Sequence, residues 1–135
     1  MVIVLDCNIW ISLALTQQLE FISSLQKNRI TIAACKNLQD ELVDVLLRPK
    51  FKKYFSKAYV EQLIQFYKLT TNSFEIIEIN KVVTDEKDNY LFALCEASNA
   101  DYFITGDKLL LEVVKYQNTN ITTLANFKTL VKQSP

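Results

Sequence analysis

No histidine occurs among the 135 residues of this chain. A Ser-His-Asp or Cys-His site is therefore excluded, and general-base work near neutrality falls to carboxylates, lysine or water activated by a metal. Zinc loses its usual nitrogen ligand as well. Glycine occurs once, at Gly106, and proline twice, at Pro49 and Pro135. That leaves no material for a flexible linker, and no repeat or low-complexity run is present. The three cysteines, Cys7, Cys35 and Cys95, are far apart and form no Cys-x-x-Cys pair. They read as buried thiols in a reducing compartment. Acidic and basic residues number fifteen each, for a formal net charge of zero. A strongly basic nucleic-acid binder is thus excluded, and any such contact must use a local patch. No window reaches the roughly 20 apolar residues that span a bilayer. The opening MVIVLDCN lacks a basic start, and Asp6 interrupts it too early for a signal peptide. The expectation is a cytoplasmic protein with no membrane contact.

Half of the residues are hydrophobic, enough for one sizeable core, so residues 1–135 read as a single domain. Val2–Leu5 is a short apolar run ending in polar residues, the pattern of a buried strand. Further strands are expected at Ile30–Ala34, Glu75–Ile79, Tyr102–Thr105 and Asn120–Thr122. Helices are expected from Ile9 to about Lys27, broken near Gln17, and over Asn37–Leu47, Lys57–Leu69, Asp88–Ala97, Lys108–Tyr116 and Leu124–Lys132. In Asn37–Leu47 the residues Leu38, Leu42, Val45 and Leu46 share one face. Arg48-Pro49 stops that helix, because a residue before proline avoids the helical region. Alternating strands and helices imply a three-layer α/β/α fold with a central, mostly parallel sheet of about five strands. Ligands of such sheets bind beyond the carboxyl ends of the strands.

Four acids stand out by position. Asp6 follows the first strand directly, in LDCN, and Asp107 follows Tyr102–Thr105, in ITGD. Asp88 opens a helix whose Leu91, Phe92 and Cys95 lie on its own face, so it is directed inward. Glu41 flanks the apolar stripe of its helix, between Leu38 and Val45. Inward acids are costly unless paired or metal-bound, and no arginine or lysine is evidently placed to pair with each. Structural roles compete with this reading. Asp6 and Asn8 could cap the next helix. Asp85 with Asp88 resembles a capping box, Gly106-Asp107 could be a turn and cap, and Glu41 could be a surface residue.

Four blocks, in order, resemble the PIN-domain family, of the kind found as toxins of bacterial toxin–antitoxin pairs. They are VIVLDCNIWIS, LQDELVDVLLRPKF, TDEKDNYLFALCEASNADYFITGDKLLL and ITTLANFKTLV, and together they span nearly the whole chain. The resemblance implies a PIN-like fold in which Asp6, Glu41, Asp88 and Asp107 are the catalytic, metal-binding acids, with Asn8 and Thr105 as supporting polar residues. It implies Mg²⁺ or Mn²⁺ as cofactor, in keeping with an all-oxygen donor set. It also implies cleavage of single-stranded RNA or RNA loops to 5′-phosphate and 3′-hydroxyl ends. A cognate antitoxin protein and a homodimer are the protein partners it allows. Two positions depart from the family pattern: Cys7 stands where Ser or Thr is usual, and Leu109 where an acid often follows Gly-Asp-Lys.

The stretch RPKFKKYFSKAY interleaves Arg48, Lys50, Lys52 and Lys53 with Phe51, Tyr54, Phe55 and Tyr59. Cations on phosphates with aromatics under bases is one way of gripping single strands; a solvated connector with its aromatics tucked inward is the other reading. Two rivals to a ribonuclease remain at this level. One is a degenerate domain that binds RNA or protein without cutting. The other is a phosphatase of the haloacid dehalogenase type, whose chemistry wants a second Asp where Asn8 stands.

Overall fold

Four consecutive apolar residues cannot leave one strand face in water, and such a strand belongs inside a sheet covered on both sides. A computed structural model, which describes residues 1–133, places Val2–Leu5 there as β1, with Ile3, Val4 and Leu5 fully buried. The chain continues through α1 (Cys7–Leu15), α2 (Glu20–Lys27), β2 (Thr31–Ala34), α3 (Lys36–Leu46), α4 (Lys57–Thr70) and β3 (Asn72–Ser73). It then forms α5 (Asn89–Ser98), β4 (Tyr102–Ile104), α6 (Lys108–Leu111), β5 (Lys115–Tyr116), β6 (Thr119–Thr122) and α7 (Leu124–Gln133). Short 3-10 turns cover Pro49–Phe51 and Glu86–Asp88.

The six strands lie in the order β3-β2-β1-β4-β6-β5, all parallel except the β5–β6 pair. From β1 the chain steps outward to β2 and β3, then crosses back to β4 on the other side of β1. The direction of winding therefore reverses between β1 and β4, and a crevice is expected at their carboxyl ends. Phe103 meets Phe92 of α5 at 5.7 Å, while its neighbour Tyr102 meets Phe127 of α7 at 5.6 Å. Successive strand side chains point to opposite faces, so α5 and α7 cover opposite sides of the sheet. On the α7 side, Lys128 lies over the ring of Phe21 in α2, and α1 to α4 pack on one another. Trp10 and Tyr67 meet edge to face at 5.1 Å, tying α1 to α4.

The expected break near Gln17 is there: Gln17 takes φ 57 and separates α1 from α2. Arg48 is extended (φ −65, ψ 144), as a residue before proline must be. All three cysteines are free and buried. Among the described residues no helix is long and apolar enough to cross a membrane.

Two expected elements differ. Glu75–Ile79 is not a strand; β3 occupies Asn72–Ser73 instead. Ala34, the last residue of β2, already pairs with Ser73, and the Phe74 N–H donates to the Ala34 carbonyl at 2.8 Å. Beyond that bond the chain has outrun its partner, and Ile77 is 96% exposed. The helix expected over Lys108–Tyr116 stops at Leu111. Val114 sits at φ 67, a strained value for a β-branched residue, and turns the chain into β5. Lys115 and Tyr116 then pair with β6 through a two-residue turn at Gln117-Asn118, and this added hairpin brings the sheet to six strands.

Candidate active site

Asp6 and Thr105 leave neighbouring strands side by side. The Asp6 N–H donates to the Ile104 carbonyl at 3.0 Å, carrying the β1–β4 ladder one residue further. Asp6 is 5% exposed, and its side chain makes no capping bond to α1. It accepts instead from the Thr105 hydroxyl, Oγ1 to Oδ2, at 2.7 Å. The same Oγ1 accepts the Asp107 N–H at 3.1 Å. One buried hydroxyl thus uses its donor on the first acid and a lone pair on the backbone of the last. Asp107 also caps α6, with Oδ1 accepting from the Leu109 N–H at 2.9 Å, so the expected turn and cap are present alongside any other role.

Glu41 comes from α3, where Leu38 and Leu42 are fully buried and Glu41 itself half-buried. Its Oε2 accepts the hydroxyl of Tyr90 from α5. Asp88 ends the 3-10 turn ahead of α5, a turn capped by Asp85. The buried Asn89 fastens the preceding loop: its Oδ1 accepts from the N–H groups of Val82 (3.0 Å) and Val83 (2.9 Å). Asp88 is thereby held between a pinned loop and the helix start.

All four acids line one cavity of about 610 Å³, together with Asn8 and three more carboxylates, Asp40, Asp44 and Asp85. Burial raises the Asp6 carboxyl above its usual range, the Thr105 bond opposes this, and the charges of Glu41 and Asp107 add to it. Asp88 is pushed up to about 6, first by burial and then by Asp85, Asp6, Asp107 and Glu41. Among the described residues, no ion pair involves any of the four acids. An all-oxygen, uncompensated carboxylate set is the chemistry a hard divalent cation suits. As they stand, the described residues include no group of three His, Cys, Asp or Glu close enough to hold an ion. The acids share a cavity without forming a closed cage.

The raised pKa values give a testable pH dependence. The folded chain holds the Asp88 proton more tightly than the unfolded chain does, so protonation favours folding. The Asp88 contribution is unfavourable above about pH 6 and improves as pH falls toward its ordinary value of 3.8. Asp6 acts in the same sense. In EDTA, the melting temperature followed by circular dichroism is expected to be higher at pH 5 than at pH 7. A lower value at pH 5 would show that these carboxylates are not crowded.

Arg48, Lys50 and Lys87 line the same cavity; Lys52 and Lys53 are not among its lining residues. Arg48 reaches Asp44 at 3.3 Å and Lys87 reaches Asp85 at 3.7 Å, both exposed pairs. Of the aromatics in this stretch, Phe55 is buried and stacks on Tyr59 at 5.3 Å, Phe51 leans on Phe55, and only Tyr54 is mostly exposed. Sequence reasoning passed over Lys87 and Tyr90. Lys87 carries no signal beyond its charge. Tyr90 carries one: a tyrosine on a buried helix face needs a partner for its hydroxyl. Of the two departing positions, Cys7 is buried and its thiol is pushed up to about 12 by burial. Leu109 is 69% exposed and borders an adjoining hollow of about 330 Å³ that also touches Asp88 and Asp107.

Comparison with known proteins gives two matches. Residues 2–109 match the family model for the PIN domain. In fold, the chain is similar to a chain of VapBC2 from Rickettsia felis, whose crystal structure is bound to a DNA fragment from their promoter. That likeness has a TM-score of 0.62 and covers 90% of this chain and 97% of the other, at 14% identity. No curated protein compared by sequence matches.

Proposed function

The chain belongs to the PIN domain family, and from that premise we propose that it is a metal-dependent endoribonuclease, the toxin of a toxin–antitoxin pair. One observation carries the reading. Asp6, Glu41, Asp88 and Asp107, from four separate parts of the fold, line a single cavity at the carboxyl edge of the sheet, at the point where the winding reverses. The likeness to VapBC2 supports a cognate antitoxin protein as partner.

The four acids are the residues that would hold Mg²⁺ or Mn²⁺, which when bound supplies Lewis-acid stabilisation to the phosphodiester and acidifies water. Thr105 engages Oδ2 of Asp6 and so fixes the orientation of its carboxylate. Glu41, engaged at Oε2 by Tyr90, helps orient the attacking water, whose proton passes to solvent. Attack at phosphorus breaks the bond to the 3′ oxygen. That oxygen takes a proton from solvent water and leaves as a 3′-hydroxyl, and the phosphate stays on the 5′ end of the downstream fragment. Arg48, Lys50 and Lys87, which line the same cavity, hold phosphates on either side of the scissile one. A single strand suits the cavity because its backbone can bend to the acids while its bases turn away.

The test is direct. With an end-labelled single-stranded RNA and millimolar Mn²⁺, the purified chain is expected to yield fragments bearing 5′-phosphates, and none in EDTA. RNA left intact under both conditions would overturn the reading and leave a module that binds RNA or protein without cutting.

A further inference from the structure

Tyr90 is the second residue of α5, two positions past Asp88, and is 5% exposed. Its hydroxyl crosses to α3 and donates to Oε2 of Glu41. A phenol donating to a carboxylate forms a charge-assisted bond, and partial burial makes it stronger than it would be in water. Tyr90 therefore engages one oxygen of Glu41 before any ion arrives, and Oε1 is the oxygen left.

Divalent cations differ in what they ask of a carboxylate. Ca²⁺ gathers about six to eight oxygens in a loose shell and readily takes both oxygens of one glutamate. Mg²⁺ demands a tight octahedron and takes carboxylates one oxygen at a time. A phenol donating to Oε2 occupies one of that oxygen's two lone pairs and weakens it as a second metal donor, which favours the second habit over the first. Building on the metal-dependent reading above, we propose that Tyr90 is a positioning residue that confines Glu41 to one-oxygen coordination, and so selects Mg²⁺ or Mn²⁺ against Ca²⁺.

The experiment is titration calorimetry of the full chain with MgCl₂, MnCl₂ and CaCl₂, without RNA, for the wild type and Tyr90→Phe. The phenylalanine keeps the ring and removes only the hydroxyl, and circular dichroism checks that the fold is kept. A hydrogen bond to a charged group is worth roughly tenfold or more in an equilibrium constant. Tyr90→Phe is therefore expected to raise the Ca²⁺ to Mg²⁺ affinity ratio by about that factor. A purely structural role would weaken all three ions alike and leave the ratio unmoved. Glu41→Asp, which withdraws the carboxylate from the phenol without touching Tyr90, is expected to shift the ratio the same way. Ions bound by every variant at an unchanged ratio would overturn the role of Tyr90 alone. No heat from any ion with the wild type would overturn the metal-dependent reading, and this proposal with it.

Discussion

Asp6→Asn is expected to lower RNA cleavage in Mn²⁺ by roughly a thousandfold while leaving the fold intact. The substitution keeps the shape of the side chain and one acceptor oxygen, so the Thr105 hydroxyl still has a partner. What disappears is a full negative charge in the most buried of the four acids. The helix start loses little, because the Asp6 side chain makes no capping bond further into α1 and asparagine can still accept from the Cys7 N–H. With Asp6 raised by burial and by the charges of Glu41 and Asp107, neutralising it also relieves repulsion. In EDTA, the variant should melt at or above the wild-type temperature at pH 7. The paired readout separates the two roles open to this residue. Full cleavage by Asp6→Asn would remove it from the active site, and a large fall in melting temperature would make it a structural residue.

Phe92→Ala is expected to destabilise the fold severely. Phe92 is fully buried on α5, edge-on to Phe103 of β4 at 5.7 Å and to Tyr116 of β5 at 5.4 Å. Truncating a buried phenylalanine costs about 3–5 kcal/mol, against a total of roughly 5–15 kcal/mol for a domain. The melting temperature should fall by about 10 °C or more, and Phe92→Leu should recover part of the loss. The effect also reaches the site, since α5 carries Tyr90 and begins directly after Asp88. A loss under about 1 kcal/mol would mean that α5 rests on the sheet through other contacts.

Each of the four acids is tied to a local pattern in the sequence. An apolar run followed at once by a carboxylate marks a strand end at Asp6, whereas Asp107 comes three residues after the last residue of β4. Helical spacing directed Glu41 and Asp88 inward. What connects them was not legible. The Thr105–Asp6 bond joins residues 99 positions apart and the Tyr90–Glu41 bond joins residues 49 apart, and no local pattern reports such a meeting. The misplaced elements have similar causes. Glu75–Ile79 has strand-like residues but no strand left to pair with. Lys108–Tyr116 has helix-like residues, but pairing with β6 outweighs the local preference and holds Val114 in a strained conformation. In both cases the deciding partner lies elsewhere in the chain.

The sheet ends on both margins in strands of only two residues, β3 at Asn72–Ser73 and β5 at Lys115–Tyr116. A long outer strand would present a row of unpaired amide and carbonyl groups, a template onto which other copies could zip. Here one margin is polar and exposed, and the other carries a lysine and is built from a tight hairpin. Crowded copies of the chain find little backbone to add to, so fibre-like stacking is denied a starting edge. The shortness of the outermost strands thus leaves little backbone on either margin for another strand to join.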